Sequence, residues 1–367
     1  MSARNLKVAI VHDWLNQVGG AEEVLEVLHQ LFPQAPIYTS IYAPKAMPPA
    51  YRSWDIRTSL VQHLPLATSK HQAYLFFYPW AFERFELNDY DLVLANSSGF
   101  CHGVRTRPPT THITYCLTPP RYVWNYPDYI RHEGVGTLPR LFLPLFIGRL
   151  RHWDIRASQR TDHFIAISQT VRERILSYYG RQAAIIYPPV DTSSYQVTDR
   201  IDDYFLIVSR LVPYKRIHLA VEAFNALKLP LVVIGEGRAR AALQRLAQPN
   251  VRFLGRLPQE EVRRYMARCQ AFIFPGEEDF GIAPVEAQAA GRPVIAYAGG
   301  GALDSVVQDV TGTFFREPAA ESLAQAVRQF DHRAYDPAAI RDHALGFDTQ
   351  VFKDKIIAFI RGKGVPL

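Results

Sequence analysis

Two glutamates eight positions apart, Glu278 and Glu286, flank a glycine turn in AFIFPGEEDFGIAPVEAQAAGRPVIAY, residues 271–297. Carboxylates in such a setting accept hydrogen bonds from hydroxyl-rich ligands. The run Ala271–Phe274 reads as a buried strand and Gly276 and Gly281 punctuate the loop behind it. Pro284 suits the first helical position, where a missing N–H costs nothing. Glu278 is then a loop residue, and Glu286 lies in the first helical turn. The amides of Phe280, Gly281 and Ile282 would face the helix mouth, whose unsatisfied N–H groups and dipole attract phosphate. One carboxylate suits sugar hydroxyls and the other ribose hydroxyls. The plain alternative is a solvated Glu278 and a Glu286 that merely favours a helix N-terminus.

Further groups repeat this strand-to-helix setting. Tyr204–Arg210 delivers an arginine at a strand end, and Pro213-Tyr214-Lys215 precedes a helix beginning near Arg216. Arg210 as a planar fork and Lys215 as a point charge can clamp a diphosphate, although two solvated surface cations would read the same. His12 and Asp13 end the strand Val8–Val11, and Gly19-Gly20 precede a helix, where paired glycines let backbone approach a bulky anion or simply form a turn. This is neither GxGxxG nor GxxxxGK[ST], which weighs against a dinucleotide or P-loop site. In TYCLTPPRYVW, residues 114–124, Thr118, Arg121, Tyr122 and Trp124 offer stacking faces and a phosphate partner, or ordinary loop packing. Asp89-Tyr90-Asp91 spells DxD but enters a strand, so a turn role is expected and metal is not.

The elements that must position these groups alternate along the chain. Strand-like runs at Val8–Val11, Leu92–Ala95, His112–Tyr115, Phe164–Ile167, Tyr204–Val208, Leu231–Ile234, Val251–Phe253, Ala271–Phe274 and Val294–Tyr297 are separated by helical patterns such as Ala21, Val24, Leu25, Leu28, Leu31 and Phe32. That alternation predicts an α/β protein of doubly wound sheets. At 367 residues the chain exceeds one core, and the proline-stiffened segment 186–194 is the expected hinge. The pattern over 347–360 is a last helix that can clasp the domains.

Composition excludes several classes. With 48% hydrophobic and 21% charged residues the chain is globular, and a net charge of +6 with scattered basic groups suits anionic lipid or a diphosphate rather than nucleic acid. Cys101, Cys116 and Cys269 fit no disulfide or zinc spacing, and the start MSARNLKVAIVHDW lacks an apolar signal core, so the cytoplasm is expected. Arg140 and Arg149 interrupt the greasiest stretch, Leu138–Leu150. The segments 72–85 and 138–153 mix aromatics, leucines and arginines, as core does and as interfacial membrane segments do.

Taken together, EEDFGIAPVEAQAAGRPVIAY, SRLVPYKR, HDWLNQVGGAEEVLE, YCLTPPRYVWNY and IYPPVDT closely resemble glycosyltransferase family 4, retaining enzymes of GT-B fold, and within it the bacterial mannosyltransferases of O-antigen and exopolysaccharide synthesis. The resemblance covers nearly the whole chain in order. It implies two Rossmann-like domains facing across a cleft: an acceptor-side domain over 1–187, a donor domain over 188–346, and a C-terminal helix over 347–367 crossing back to the first. Glu278 resembles the family's sugar-facing carboxylate and Glu286 its ribose-binding one. Arg210 and Lys215 match the cationic pair on the donor diphosphate, Gly19 and Gly20 the loop opposite it, and Phe280, Gly281 and Ile282 the backbone amides offered to the donor. A base would lie near residues 252–258.

The resemblance further implies a nucleotide-sugar donor, with mannose from GDP-mannose expected, and neither metal nor cofactor. The acceptor would be a lipid-linked saccharide on the inner face of the cell membrane, with peripheral contact to anionic lipid. His12, Asp13, Thr118, Arg121, Tyr122 and Trp124 are the acceptor-side candidates. One departure stands out. Many family members carry histidine where this chain has Leu117, and leucine can neither donate nor accept a proton. Either that group is dispensable, or His12 or His112 supplies it, or the activity is altered. A nucleotide-sugar epimerase or hydrolase, and a catalytically silent sugar-nucleotide-binding protein, are the rival readings.

Overall fold

A computed structural model describes residues 6–125 and 137–366, and within 137–145 the backbone path alone. The first five residues, Tyr126, and the side chains of 138–145 in the apolar stretch therefore lie outside the described residues.

The chain divides into two compact units, Met1–Tyr187 with Lys353–Leu367, and Pro188–Phe352. The first is built on a seven-stranded sheet. Its strands are β1 (Val8–His12), β2 (Ile37–Thr39), β3 (Ile56–Thr58), β4 (Leu92–Ser97), β5 (Thr111–Cys116), β6 (His163–Ala166) and β7 (Ala183–Ile185), in the order β3-β2-β1-β4-β5-β6-β7. Every pairing is parallel. A parallel sheet is covered on both faces, so its central strands read as unbroken apolar runs. All five residues of β1, VAIVH, are accordingly buried.

The second unit carries a six-stranded parallel sheet in the order β10-β9-β8-β11-β12-β13. Its strands are β8 (Phe205–Val208), β9 (Leu231–Ile234), β10 (Val251–Gly255), β11 (Phe272–Phe274), β12 (Val294–Tyr297) and β13 (Gly312–Phe315). Phe205, Ile207, Val221, Phe224, Val233 and Ile295 form the heart of its core. The last helix, Thr349–Gly362, begins in the second unit and from Lys353 onward belongs to the first.

The sequence reading omits β2, β3, β7 and β13. These are three- and four-residue strands, two of them half exposed, too short to show a period or an apolar run. In both sheets the chain winds one way from a founding strand and then returns to its other side, which places the order reversals at β1/β4 and at β8/β11. Ligands of open α/β sheets bind at the carboxyl ends of the strands at such a reversal.

Candidate active site

In the second unit the reversal brings the loops after β8 and β11 together. The chain leaves β8 through Ser209 and Arg210, makes a short turn over Pro213–Lys215, and enters the helix Ile217–Leu227 through Arg216 in a left-handed conformation with φ 53°. Gly276 lets the second loop approach: a Cβ there would lie 2.9 Å from the carbonyl oxygen of Lys215. Across this contact the Lys215 ammonium pairs with the Glu278 carboxylate, both side chains being mostly but not fully enclosed. Arg210 is exposed and its Nη2 donates to the Tyr214 hydroxyl at 3.1 Å, while the Lys215 Nζ lies 5.5 Å from the Tyr214 ring centre. Tyr214 thus stands between two cations. The amide of Gly301 donates to the Glu278 carbonyl at 2.9 Å, fixing the loop from the far side.

The helix that follows runs Ile282–Ala289, so Pro284 is its third residue and Glu286 its fifth, later than the sequence reading places them. Proline is tolerated there because the first four helical N–H groups have no partner within the helix. Gly281 forms the N-cap at φ 89°, with no side-chain cap, and a Cβ there would lie 2.6 Å from the Phe274 ring. Phe280 is buried, its ring 5.8 Å from that of Phe347. The helix mouth therefore closes with backbone alone beside the Lys215–Glu278 pair, which is the arrangement an anion uses.

Glu286 is half-buried, and its Oε1 accepts a 2.6 Å hydrogen bond from the Tyr195 hydroxyl. Burial pushes its carboxyl above the usual range, opposed by the Tyr195 bond and the positive charge of Arg263. Tyr195 is itself anchored. Arg341 donates to its carbonyl at 2.9 Å, Gln259 reaches its hydroxyl at 3.4 Å, and the Arg263 guanidinium lies 5.6 Å from its ring centre. Sequence reading missed both Tyr195 and Arg263, since Tyr195 directly follows a segment read as linker and Arg263 is one of many helical arginines.

The reversal in the first unit is occupied differently. Asp13 is buried; its Oδ1 accepts from the amides of Phe100 and Cys101 at 2.7 and 2.8 Å, and its Oδ2 from the Ser98 amide at 2.7 Å and hydroxyl at 3.3 Å. All its acceptor capacity is consumed in tying the loop after β4 to the end of β1. His12 is also buried, its Nε2 3.4 Å from Glu22 and its Nδ1 3.2 Å from the Asn96 amide. Gly19 caps the helix Gly20–Leu31 in extended conformation and its carbonyl accepts from Glu22 and Glu23.

Beyond β5, Leu117 is buried and its amide donates to the Ser97 carbonyl at 2.7 Å. Thr118 accepts from Arg174 at 3.2 Å, Arg121 is half-buried, and the Tyr122 ring packs 5.3 Å from Phe100. Trp124 donates from Nε1 to Asp154 at 2.7 Å and stacks on Tyr178 at 4.2 Å. Asp154 is wholly buried and also holds the Tyr179 hydroxyl at 2.8 Å and His102 at 3.1 Å. Trp124 is a structural tie, and Asp154, like Tyr195 and Arg263, went unseen in the sequence reading.

His112 has no exposure, and burial depresses its pKa to about 3, so it is a neutral core imidazole and does not replace the family histidine. Asp91 of the DxD triplet accepts the Lys7 amide at 2.9 Å at the entry to β4. Among the described residues no three His, Cys, Asp or Glu side chains converge as a metal cage.

Two doubly wound parallel units of this kind define the GT-B class of glycosyltransferases. HepE from Anabaena, solved in complex with UDP, superposes with a TM-score of 0.71 at 16% identity over 97% of this chain and all of that one. Residues 18–194 match the profile of Glycosyltransferase Family 4 and residues 197–343 that of glycosyl transferases group 1; the chain belongs to glycosyltransferase family 4. Similar curated proteins include O-antigen chain mannosyltransferase C of Escherichia coli, 30% identical over 136 residues, 35% of this chain and 37% of that protein. D-rhamnosyltransferase WbpZ of Pseudomonas aeruginosa is 26% identical over 202 residues, 50% of this chain and 51% of that one. The chain thus spans about half or less of the length of these relatives.

Proposed function

We propose that the chain transfers a hexosyl group with retention of configuration, mannose from GDP-mannose being the first donor to test, to a hydroxyl of a lipid-linked glycan. The observation that carries this reading is the meeting of Lys215 and Glu278 at the β8/β11 reversal, beside a helix mouth closed by backbone and one turn from Glu286. Glu278 takes the sugar hydroxyls, Glu286 the ribose hydroxyls, and Phe280, Gly281 and Ile282 offer amides to the donor. Arg210 and Lys215 hold the diphosphate.

The acceptor oxygen attacks the anomeric carbon on the face from which the diphosphate departs. The bond from that carbon to the phosphate oxygen breaks, and the acceptor proton passes to a diphosphate oxygen. The two cations stabilise the leaving charge, so no protein nucleophile, metal or cofactor is required. The relatives named as mannosyltransferases, several of them as GDP-mannose-dependent, support GDP-mannose, and the UDP bound to HepE makes UDP-sugars the competing donors. A thermal-shift panel of GDP-mannose, UDP-glucose, UDP-N-acetylglucosamine and the free diphosphates tests the donor, because a ligand of the native state raises its melting temperature with affinity. Absence of a shift with every nucleotide sugar would sink the reading.

Leu117 supports a second reading, a sugar-nucleotide-binding protein without turnover, since His112 lies in the core. It predicts a thermal shift but neither glycosylated product nor free sugar with any acceptor. An epimerase or hydrolase instead releases altered or free sugar in the absence of an acceptor.

A further inference from the structure

The open edge of the second sheet holds a cavity that sugar transfer does not use. It has a volume of about 630 Å³ between β13, the helix Ala320–Gln329 and the turns at 308–309 and 331–335. Small-ligand pockets span roughly 300–1,000 Å³, so the space suits more than a single ion or water cluster. β13 is the last strand of its sheet, two places beyond β11, and neither Lys215 nor Glu278 lines the cavity.

Its walls are polar. The helix buries Leu323, Ala324 and Val327 in the core and turns Ser322, Gln325 and Gln329, spaced three and four apart, toward the cavity. Gln325 and Gln329 are exposed, and among the described residues neither amide meets a protein partner. On the strand side, the Val294 amide donates to the Thr311 carbonyl at 3.0 Å and the Ala298 amide to the Phe315 carbonyl at 2.9 Å. Alternate peptides of β13 thus serve β12, which leaves the N–H and C=O of Phe314 on the open edge. Asp309 is held at φ 61°, its amide donating to the Gly312 carbonyl at 2.8 Å. Burial and the charge of Asp309 push the Tyr335 hydroxyl above its usual range, so these two lining groups lie close together.

This chemistry selects among occupants. The cavity charges balance, because Arg316 offsets Asp309 and both oxygens of Asp331 accept from Arg333, at 2.9 and 3.1 Å. A phosphate or nucleotide would therefore meet one guanidinium and one carboxylate, a poor anion site. An apolar ligand, or a strand added to β13, would cover the two glutamine amides and leave them unpaired. A neutral saccharide fits each wall. Its hydroxyls both donate and accept, as glutamine amides and the Phe314 peptide do, and Asp309 adds an acceptor. Its C–H faces pack on the half-buried rings of Phe314, Phe330 and Tyr335, the last two stacked 5.3 Å apart.

We propose that this cavity is a second saccharide-binding site, holding a short uncharged oligosaccharide through Gln325, Gln329, Asp309 and the Phe314 backbone, separate from the donor loops. The inference goes beyond the transfer reading and needs no turnover.

Saturation-transfer NMR and calorimetry on the full chain test it, with mannotriose and maltotriose as probes and saturating GDP and UDP present to fill the nucleotide site. At least one trisaccharide should bind. Gln325→Ala with Gln329→Ala should weaken that binding by at least about tenfold, since two side chains lose their hydrogen bonds to it. Alanine favours a helix and both positions are exposed, so the double variant should melt as wild type does and keep its thermal shift with nucleotide sugar. A nucleotide-sugar shift in wild type without any trisaccharide binding overturns this proposal and leaves the transfer reading standing. Equal trisaccharide affinity in wild type and the double variant overturns it too, because the saccharide then sits elsewhere. So does binding that appears only when the nucleotides are left out, and so does a dimer in light scattering that the double variant dissociates, which would mark the edge as a strand-pairing surface.

Discussion

The two sheet reversals in this molecule have the same topology and opposite contents. At β1/β4 a carboxylate, Asp13, is spent on three backbone amides and a hydroxyl of the facing loop. At β8/β11 the link is between two side chains, Lys215 and Glu278, and neither holds the backbone. A side chain that satisfies buried amides is part of the fold and has nothing left for a ligand. An ion pair of two partly exposed side chains adds little to stability, so its retention at a reversal calls for another reason, and a polyhydroxyl diphosphate ligand supplies one. Residue type at a favoured position is therefore weak evidence of function until its hydrogen bonds are counted.

The sharpest way to break this contrast is to remove one member from each reversal. Lys215→Ala or Glu286→Ala should lower kcat/KM for sugar transfer by on the order of 10²- to 10³-fold while the melting temperature stays near that of wild type. Near-normal transfer in either variant, measured by product formation, sinks the role given to that residue. Asp13→Ala should do the reverse in kind. Four donors lose their acceptor, for a loss of about 3–5 kcal/mol in chemical denaturation. If Asp13→Ala melts normally and loses only activity, the comparison is wrong.

A weaker test concerns Trp124. Trp124→Phe deletes the Nε1 bond to Asp154 but keeps the stack on Tyr178, and Asp154 still holds Tyr179 and His102, so the destabilisation should be about 1 kcal/mol. Urea unfolding measures it. Loss of acceptor affinity at unchanged stability would return Trp124 to the acceptor site.

How much of this was legible in the sequence follows from the same physics. Central parallel strands such as β1, β4 and β9 are continuous apolar runs and announce themselves, whereas β3 and β7 are half exposed and three residues long, with their partners elsewhere in the chain. The Glu278–Glu286 spacing was readable because loop and helix are local. The helix start was set two residues late, since Pro284 occupies its third position and not its first. Asp13, Trp124 and His112 read as candidate chemistry because a sequence lists donors and acceptors without saying which meet. Tyr195 and Arg263 went unseen for the mirror reason: their significance is the carboxylate 91 and 23 positions away that they serve.

Glu286 allows the second reversal's neighbourhood to be probed by pH. Its carboxyl is raised above 4.5 chiefly by burial, so the folded state binds the proton more tightly than the unfolded chain. Ionisation then costs stability, a cost absent below about 4.5 and complete above the raised value. Glu286→Gln should accordingly be more stable than wild type near neutrality, the gap shrinking as pH falls through that window. Wild-type nucleotide affinity should weaken across the same window as the acceptor charge is lost, while Glu286→Gln binds weakly and without pH dependence. A stability gap that widens on acidification contradicts the assignment.

The smallest effect isolates Tyr195. Its hydroxyl donates to one oxygen of Glu286, which favours the ionised carboxylate and fixes its plane, leaving the other oxygen for a ligand. Tyr195→Phe keeps the ring between Arg263 and the core and removes that one bond. Nucleotide diphosphate affinity at neutral pH should fall by roughly threefold to tenfold, and the acid midpoint of binding should move upward, because the carboxylate has lost a donor. A 2′,3′-dideoxy nucleotide presents no ribose hydroxyls, so its affinity should be the same for wild type and Tyr195→Phe. If Glu286→Ala lowers the affinity of both nucleotides by the same factor relative to wild type, the ribose assignment of Glu286 fails. If Glu286→Ala weakens the ribonucleotide alone and Tyr195→Phe weakens neither, the carboxylate binds ribose without the help of its tyrosine.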